Sequence, residues 1–358
     1  MNVDAQFWRD KRVLLTGHTG FKGSWLSLWL QSFGCHLYGF SLNPSTRPNM
    51  FDMLGLSSGM ESIIGDIRDF SSVCAVVEET KPEIVIHMAA QPLVRESYAD
   101  PLGTFSTNVM GTINLLEALR KFGATKAFLN VTTDKCYENR EWLWGYKEDD
   151  HLGGHDPYSS SKACSELVTS SYRRSFFSDS GDMAVATARA GNVIGGGDWS
   201  QDRLIPDALK AFRSDQPLIV RNPEATRPWQ HVLEPLSGYL CLAQRLFEGD
   251  LRARDAWNFG PFDEDIKPVS YLVSRISQSW PGVRQWEIDS SEQVHEANLL
   301  KLDISKARAI LGWTPTWDLD GTLDSIVSWE KCLERGGDLR GETMRQIENF
   351  MNDMGRVV

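Results

Sequence analysis

The sequence contains no CxxC pair: its six cysteines, Cys35, Cys74, Cys136, Cys164, Cys241 and Cys332, stand singly along 358 residues. That spacing excludes the usual thiolate zinc site and argues against a disulfide framework. Nor does any stretch approach the roughly 18 uninterrupted apolar residues of a spanning helix. Met1 to Arg12 carries Asp4, Arg9, Asp10, Lys11 and Arg12 and has no apolar signal core. A cytoplasmic protein is the expectation. Positive charge is also short, with 37 Lys and Arg against 48 Asp and Glu and a formal net charge of −11. General attraction to nucleic acid or to an anionic membrane is therefore not expected, although a basic cleft is still allowed. Internal repeats and low-complexity tracts are absent.

What is present is alternation. Lys11–Leu15, Cys35–Ser41, Glu83–His87, Lys126–Val131 and Ala184–Arg189 are short apolar runs of strand type. Between them Ser24–Phe33, Ser71–Thr80, Thr107–Phe122 and Pro157–Phe177 repeat their apolar residues at helical spacing. The pattern predicts an α/β fold, a doubly wound parallel sheet of Rossmann type with its ligand at the strand C-termini. After Gly191 the texture loosens, with Gly195-Gly196-Gly197 and prolines at 206, 217, 223 and 228. The expected organisation is a dinucleotide-binding domain over residues 1–190, with a return near 231–260, interleaved with a smaller substrate lobe over 191–358. Ala256-Trp257-Asn258-Phe259-Gly260 is the strand-like part of that return.

The sharpest local signal is Gly17-His18-Thr19-Gly20-Phe21-Lys22-Gly23, between the first strand and the first helix. Glycines at this spacing allow a tight turn and close approach of the backbone to a pyrophosphate, which the helix N-terminus then favours electrostatically. No frame supplies the Gly-Lys-Ser/Thr of a nucleoside triphosphatase loop. The carboxylate that grips the adenosine ribose of NAD is expected at the end of the second strand. Ser41-Leu42-Asn43 stands there instead, with Arg47 beyond, so the spacing alone does not separate NAD from NADP. Asp66-Ile67-Arg68 is a candidate for holding the adenine.

Tyr158 and Lys162 fall at i and i+4, on one face of a helix. A neighbouring ammonium lowers a phenol's pKa and makes a base of it. Together with the glycine turn, and with His87-Met88-Ala89-Ala90-Gln91, Asn108-Val109-Met110-Gly111-Thr112, Thr132-Thr133-Asp134, Arg189-Ala190-Gly191-Asn192-Val193, Arg227-Pro228-Trp229-Gln230-His231-Val232 and Leu311-Gly312-Trp313, this pair resembles the extended, sugar-nucleotide branch of the short-chain dehydrogenase/reductases. The resemblance covers almost the whole chain. Within that branch, Gly17 to Leu26 and Thr133-Asp134-Lys135-Cys136-Tyr137 are similar to the CDP-glucose 4,6-dehydratases.

The resemblance implies NAD as cofactor, held by Gly17, Thr19, Gly20, Phe21, Lys22, Gly23, Asp66, Ile67, Ala89, Gln91, Asn108, Tyr158 and Lys162. It implies a reaction without net redox change, in which a CDP-glucose-type nucleotide sugar loses water. Tyr158 would take the proton of the C4 hydroxyl, Thr133 would bind the same oxygen and Asp134 would protonate the leaving C6 hydroxyl. Lys135 stands where related dehydratases acting on dTDP-glucose carry a glutamate as C5 base. It would take that proton, or stabilise the enolate as a cation while another group takes it. Asn192, Arg203, Arg221, Arg227 and His231 would bind the substrate; each arginine also reads as a solvated surface residue, Arg227 beside Pro228-Trp229 the least so. His87 and His231 lack a second histidine at metal spacing, so no metal is expected. Trp142 and Trp144 read as a lid or as core.

An epimerase or reductase on the same scaffold is the alternative; it needs no acid at C6, and the Asp134-Lys135 pair separates the two. A scaffold protein without chemistry would be free to lose Tyr158 or Lys162. The resemblance also implies a homodimer, or a homotetramer built from it, paired through the helices Thr107–Phe122 and Pro157–Phe177.

Overall fold

The computed structural model describes residues 2–178, 183–214, 216–280, 286–289 and 299–356. Seven of its strands form one sheet: β1 Arg12–Thr16, β2 His36–Ser41, β3 Glu61–Ile64, β4 Ile84–His87, β5 Ala127–Val131, β6 Ala184–Ala190 and β7 Ala256–Phe259. Across the sheet, residues 256–259 are followed by 184–190, 127–131, 84–87, 12–16, 36–41 and 61–64, and every neighbouring pair is parallel. The order reverses beside β1, so a crevice opens above the C-terminal ends of β1 and β4.

The strand sequences explain the layering. Ile84-Val85-Ile86 and Ala127-Phe128-Leu129 are buried throughout, as a sheet covered on both faces requires. Period-two alternation then divides them. Val13, Leu15, Ile84, Ile86 and Leu129 face one core, while Leu14, Val85 and Phe128 face the other. The first core is covered by α1 Phe21–Ser32 and by the long helices Leu233–Phe247 and Leu339–Met354. The last of these brings Phe350 edge-on to Trp29 of α1, at 6.0 Å between ring centroids. Helices Phe70–Thr80 and Gly111–Phe122 cover the opposite core.

A third core gathers Ile205, Leu209, Phe212, Trp229, Leu272, Ile276 and Ile326. It lies among helices Leu204–Arg213, Val269–Ser277 and Leu319–Glu334, beside short paired strands such as Thr226–Pro228 with Ile266–Pro268. No helix among the described residues is long and apolar enough to cross a membrane.

Three local readings are corrected. The predicted helix Thr107–Phe122 is a π-turn over Ser106–Met110 that continues as an α-helix from Gly111. The first helix begins at Phe21 rather than Ser24, because Gly20 is its N-cap. Leu233–Phe247, inside the expected return, is a helix with nearly every residue buried, so its all-round apolarity hid its period.

That helix carries a buried carboxylate. Glu234 accepts the backbone N–H of Trp317 at 2.7 Å and that of Thr316 at 3.0 Å. Burial pushes its pKa up to about 8, with those N–H groups opposing the shift. The folded protein therefore retains a proton that the unfolded chain releases near the ordinary value of 4.5, and this group's contribution to stability falls as pH rises from 4.5 to about 8. Glu234→Gln mimics the protonated form. Urea unfolding at several pH values is expected to show a flatter decline for the variant across that window, and identical slopes would refute the assignment.

Candidate active site

A cleft of about 1590 Å³ opens above the C-terminal ends of the strands. At its first wall Gly17 sits at φ +77°, and a Cβ there would stand 2.8 Å from the backbone of Met88 and of Ala89. At Gly23 a Cβ would stand 2.1 Å from the Gly17 carbonyl. Only glycine lets the turn lie this close to β4 and to the start of α1. Thr16 fastens the arrangement, its hydroxyl accepting the N–H of Met88 and of Ala89 at 3.1 Å. Thr19 donates to the Leu42 carbonyl at 2.8 Å and so ties the turn to the end of β2. No side chain caps the N-terminus of α1, so its N–H groups face the cleft, ready for an anion. Gly17, Thr19, Gly20, Phe21, Lys22 and Gly23 all line the cleft. Burial brings the Lys22 amine down to about 7, and its Nζ lies 3.4 Å from the Tyr239 hydroxyl.

Asp66 and Ile67 lie along the same wall. Asp66 is held by Arg68, whose guanidinium donates at 2.6 Å and keeps the carboxyl below its usual range. Ala89 and Gln91 follow β4 into the cleft. Asn108 does not line it. From the π-turn it accepts the Gln91 N–H at 2.9 Å, and donates to the Gln91 carbonyl at 3.0 Å and to the Ser161 hydroxyl at 2.8 Å. It fixes Gln91, which lines the cleft, from behind.

The opposite wall begins where β5 ends. Thr133 caps a short turn over Asp134–Cys136, and Lys135 extends beside it. Helix Pro157–Phe176, capped by Asp156 and opened by Pro157, delivers Tyr158 and Lys162. Lys162 Nζ donates to the Val131 carbonyl at 3.0 Å. Burial lowers the Lys162 pKa to about 8, against the pull of Glu166. The Tyr158 phenol is pushed up to about 12 by burial, opposed first by its hydrogen bond with Thr133 and also by Arg203. Burial alone thus works against the phenolate, and removal of its proton depends on cations held close.

Asp134 is almost wholly buried, and its Oδ1 accepts from Thr133 Oγ1 at 3.0 Å and faces Lys135 Nζ at 3.4 Å. Its Oδ2 has no hydrogen-bond partner, and a Cβ on Gly191 would lie 3.1 Å away. A buried carboxylate oxygen left open beside a tyrosine and a lysine is equipped to exchange a proton with a bound molecule.

Across the cleft stand Asn192, Arg203, Arg221 and Arg227. Asn192 Oδ1 is buried without a partner. Arg203 and Arg221 face carboxylates that the sequence reading missed: Arg203 lies 3.5 Å from Asp198, and Asp202 lies 3.9 Å from Arg221 and 3.4 Å from Arg95. The only signal was the run Asp198 to Arg203 itself, which holds two carboxylates and an arginine without showing their partners. His231 is not brought to the cleft. It is fully buried between Trp25 and Trp317, at 5.6 and 5.0 Å between ring centroids, and burial lowers its pKa to about 3. Trp142 and Trp144 do not line the cleft either. Their rings lie 5.1 Å apart at its rim, Trp142 stacked on Tyr146 and Trp144 exposed.

A parallel sheet with this glycine turn, and a Tyr–Lys helix beside a Thr-Asp-Lys turn, define an extended short-chain dehydrogenase/reductase of the sugar-nucleotide kind. The chain belongs to the family described as GDP-mannose 4,6 dehydratase, which matches residues 14–326. It is 52% identical over 354 residues to the CDP-glucose 4,6-dehydratase of Salmonella typhimurium, covering 98% of this chain and 99% of that protein. It is 25% identical to the dTDP-glucose 4,6-dehydratase of Xanthomonas campestris, over 88% of this chain and 92% of the relative. Among solved structures, dTDP-glucose 4,6-dehydratase from Bacillus anthracis in complex with NAD superposes with a TM-score of 0.74 at 20% identity, covering 91% of this chain and 98% of that one. UDP-glucuronic acid 4-epimerase from Bacillus cereus, with UDP-glucuronic acid and NAD, gives 0.77 at 22% identity, covering 90% and 99%. These two likenesses show the shared fold.

The cradle around Gly17 and Gly23 is testable in isolation. Gly23→Ala is expected to weaken NAD+ binding at least ~10-fold, since a clash with backbone must open the turn. Isothermal titration of the purified variant reads this directly, and unchanged affinity would show that the turn does not hold the dinucleotide.

Proposed function

We propose that the protein is a lyase that converts CDP-D-glucose into CDP-4-dehydro-6-deoxy-D-glucose and water. The observation that carries this reading is the open oxygen of buried Asp134, adjacent to Thr133 and Tyr158. An epimerase or reductase has no leaving hydroxyl to protonate and no use for that acid. The choice of CDP-glucose rests on the relative that is 52% identical over nearly the full length of both chains.

When bound, NAD supplies a hydride acceptor at C4 and a hydride donor at C6, so no net oxidation results. The glycine turn and the N-terminus of α1 would hold its pyrophosphate, and Lys162 would hold the nicotinamide ribose. Tyr158 removes the proton of the C4 hydroxyl while Thr133 hydrogen-bonds the same oxygen. The ketone so formed acidifies C5–H. Lys135, half-buried beside Asp134 and acting as its free amine, takes that proton. Asp134, protonated, delivers its own to the departing C6 hydroxyl, which leaves as water, and Lys135 returns its proton to C5 once C6 is reduced. Arg203, Arg221 and Arg227, with Asn192, bind the sugar diphosphate by exchanging their present partners for phosphate oxygens. Residues 191–358, apart from β7 and the helix before it, act as the substrate lobe against the dinucleotide domain of residues 1–190.

The protein works as a homodimer. Leu102, Met110, Leu167 and Phe176 leave apolar side chains exposed on the elements that carry and precede helices Gly111–Phe122 and Pro157–Phe176. A second copy covering them would form a four-helix bundle. Cysteines without disulfides and a nucleotide-sugar substrate suit the cytoplasm.

Purified protein with NAD+ is expected to form an alkali-absorbing 4-keto-6-deoxy sugar from CDP-glucose and not from UDP- or dTDP-glucose, without accumulating NADH. Tyr158→Phe should lower kcat by about 10²–10⁴-fold. Stoichiometric NADH, or a C4 epimer with its C6 oxygen intact, would sink the dehydratase. Separately, Leu167→Glu is expected to give a monomer by light scattering, and an unchanged mass would place the interface elsewhere.

A further inference from the structure

The helix that carries Tyr158 and Lys162 also carries a buried carboxylate with no part in the steps above. Glu166 follows Lys162 by one helical turn, as Lys162 follows Tyr158, which sets all three along one face. Its carboxylate accepts the Thr132 hydroxyl, the Thr187 hydroxyl at 2.7 Å and the Arg189 guanidinium at 2.8 Å. Arg189 is fixed in turn, donating to the Tyr137 hydroxyl at 2.8 Å and to the Glu148 carbonyl at 3.0 Å. Lys162 meanwhile holds the carbonyl of Val131. One helix therefore grips two consecutive residues at the end of β5, one through an ammonium and the next through a carboxylate. The very next residues are Thr133 and Asp134.

Burial would push the Glu166 carboxyl up, but Arg189 and the two hydroxyls override it and hold the pKa below its usual value. The group is an anion. Lys162 is faced by few other charges. Lys22 from α1 is a cation that repels it; His87 on β4 is brought down to about 3 by burial and is neutral; burial pushes the Cys136 thiol up and keeps it neutral. Of the groups that oppose the Lys162 ammonium's loss of charge, Glu166 is the foremost, ahead of Cys136.

We propose that Glu166 is a positioning residue for the Tyr158–Lys162 pair, stapling their helix to the end of β5 and supplying the negative charge against which the Lys162 ammonium is kept. It touches neither substrate nor cofactor. The proposal rests on the dehydratase reading only for which proton Tyr158 moves.

The test is Glu166→Gln, which preserves size and an accepting oxygen but removes the charge. Trace acylation of the cofactor-free protein across a pH series, read by mass spectrometry on the peptide carrying Lys162, gives that lysine's titration midpoint. The midpoint is expected to fall by about one pH unit or more, a tenfold change in proton affinity. The alkaline limb of kcat/KM for CDP-glucose at saturating NAD+ should move down with it. Thr187→Val, which removes one hydrogen bond but leaves the charge, should leave the midpoint in place. A folded Glu166→Gln with an unmoved Lys162 midpoint overturns the proposal, however much its melting temperature drops. If that variant does not fold, Glu166→Asp carries the test by drawing the charge back one methylene: a smaller downward shift supports the proposal and none refutes it. Absence of keto-sugar from the wild type would instead refute the dehydratase reading, while the lysine titration would still stand or fall on its own.

Discussion

Between β1 and β4 the sheet reverses its order, and there Gly17 passes so near the backbone of Met88 and Ala89 that any side chain would collide with it. That approach is the constraint on which the cleft depends. It brings the turn, the N-terminus of α1 and the segment after β4 to one edge, with Thr16 bonded across the gap. Because every strand of the sheet runs the same way, the ends of β5 and β6 open at that edge too. Thr133, Asp134 and Asn192 thereby meet the glycine turn, whose residues lie more than a hundred positions earlier. The fold performs no chemistry by itself; it gathers strand ends, and the side chains placed on them decide the reaction.

Burial acts on those side chains in opposite directions. It disfavours charge on the Lys22 and Lys162 amines and on the Tyr158 phenol alike, so that amines drop toward neutrality while the phenol resists ionising. A site of this kind is poorly set for proton transfer until its charges are balanced by neighbours. The orphaned oxygen of Asp134 and the partnerless Oδ1 of Asn192 belong to the same unfinished state. Buried polar atoms without partners are costly, and a bound molecule that satisfies them recovers that cost as binding and orientation.

Much of this could be read from the chain alone, and the reason is local. A glycine turn between a strand and a helix, and a tyrosine and a lysine one turn apart, are patterns in adjacent residues that announce their own geometry. The alternation of strands and helices gave the sheet, because period two and period 3.6 leave different marks. What escaped depended on partners that no local pattern announces. Nothing near His231 tells that Trp25 and Trp317 close over it, and nothing near Asn108 tells that it holds Gln91 rather than the cleft. Asp66 reads as an open carboxylate until Arg68 is seen folded back upon it. The short strand Glu61–Ile64 leaves only a brief apolar run before Asp66, because at the edge of the sheet its residues are partly exposed.

The packing of helix Leu339–Met354 against α1 has a consequence for the order in which the molecule can be made. Trp29 is covered by residues that leave the ribosome more than three hundred positions later, and Arg340 bonds back to Leu54 and Gln31. The first βα unit therefore emerges with its indole surface bare and must wait for nearly the whole chain before that surface is shielded. During synthesis the dinucleotide half is not a finished product awaiting an appendage. It stays open on the Trp29 side until helix Leu339–Met354 packs against it.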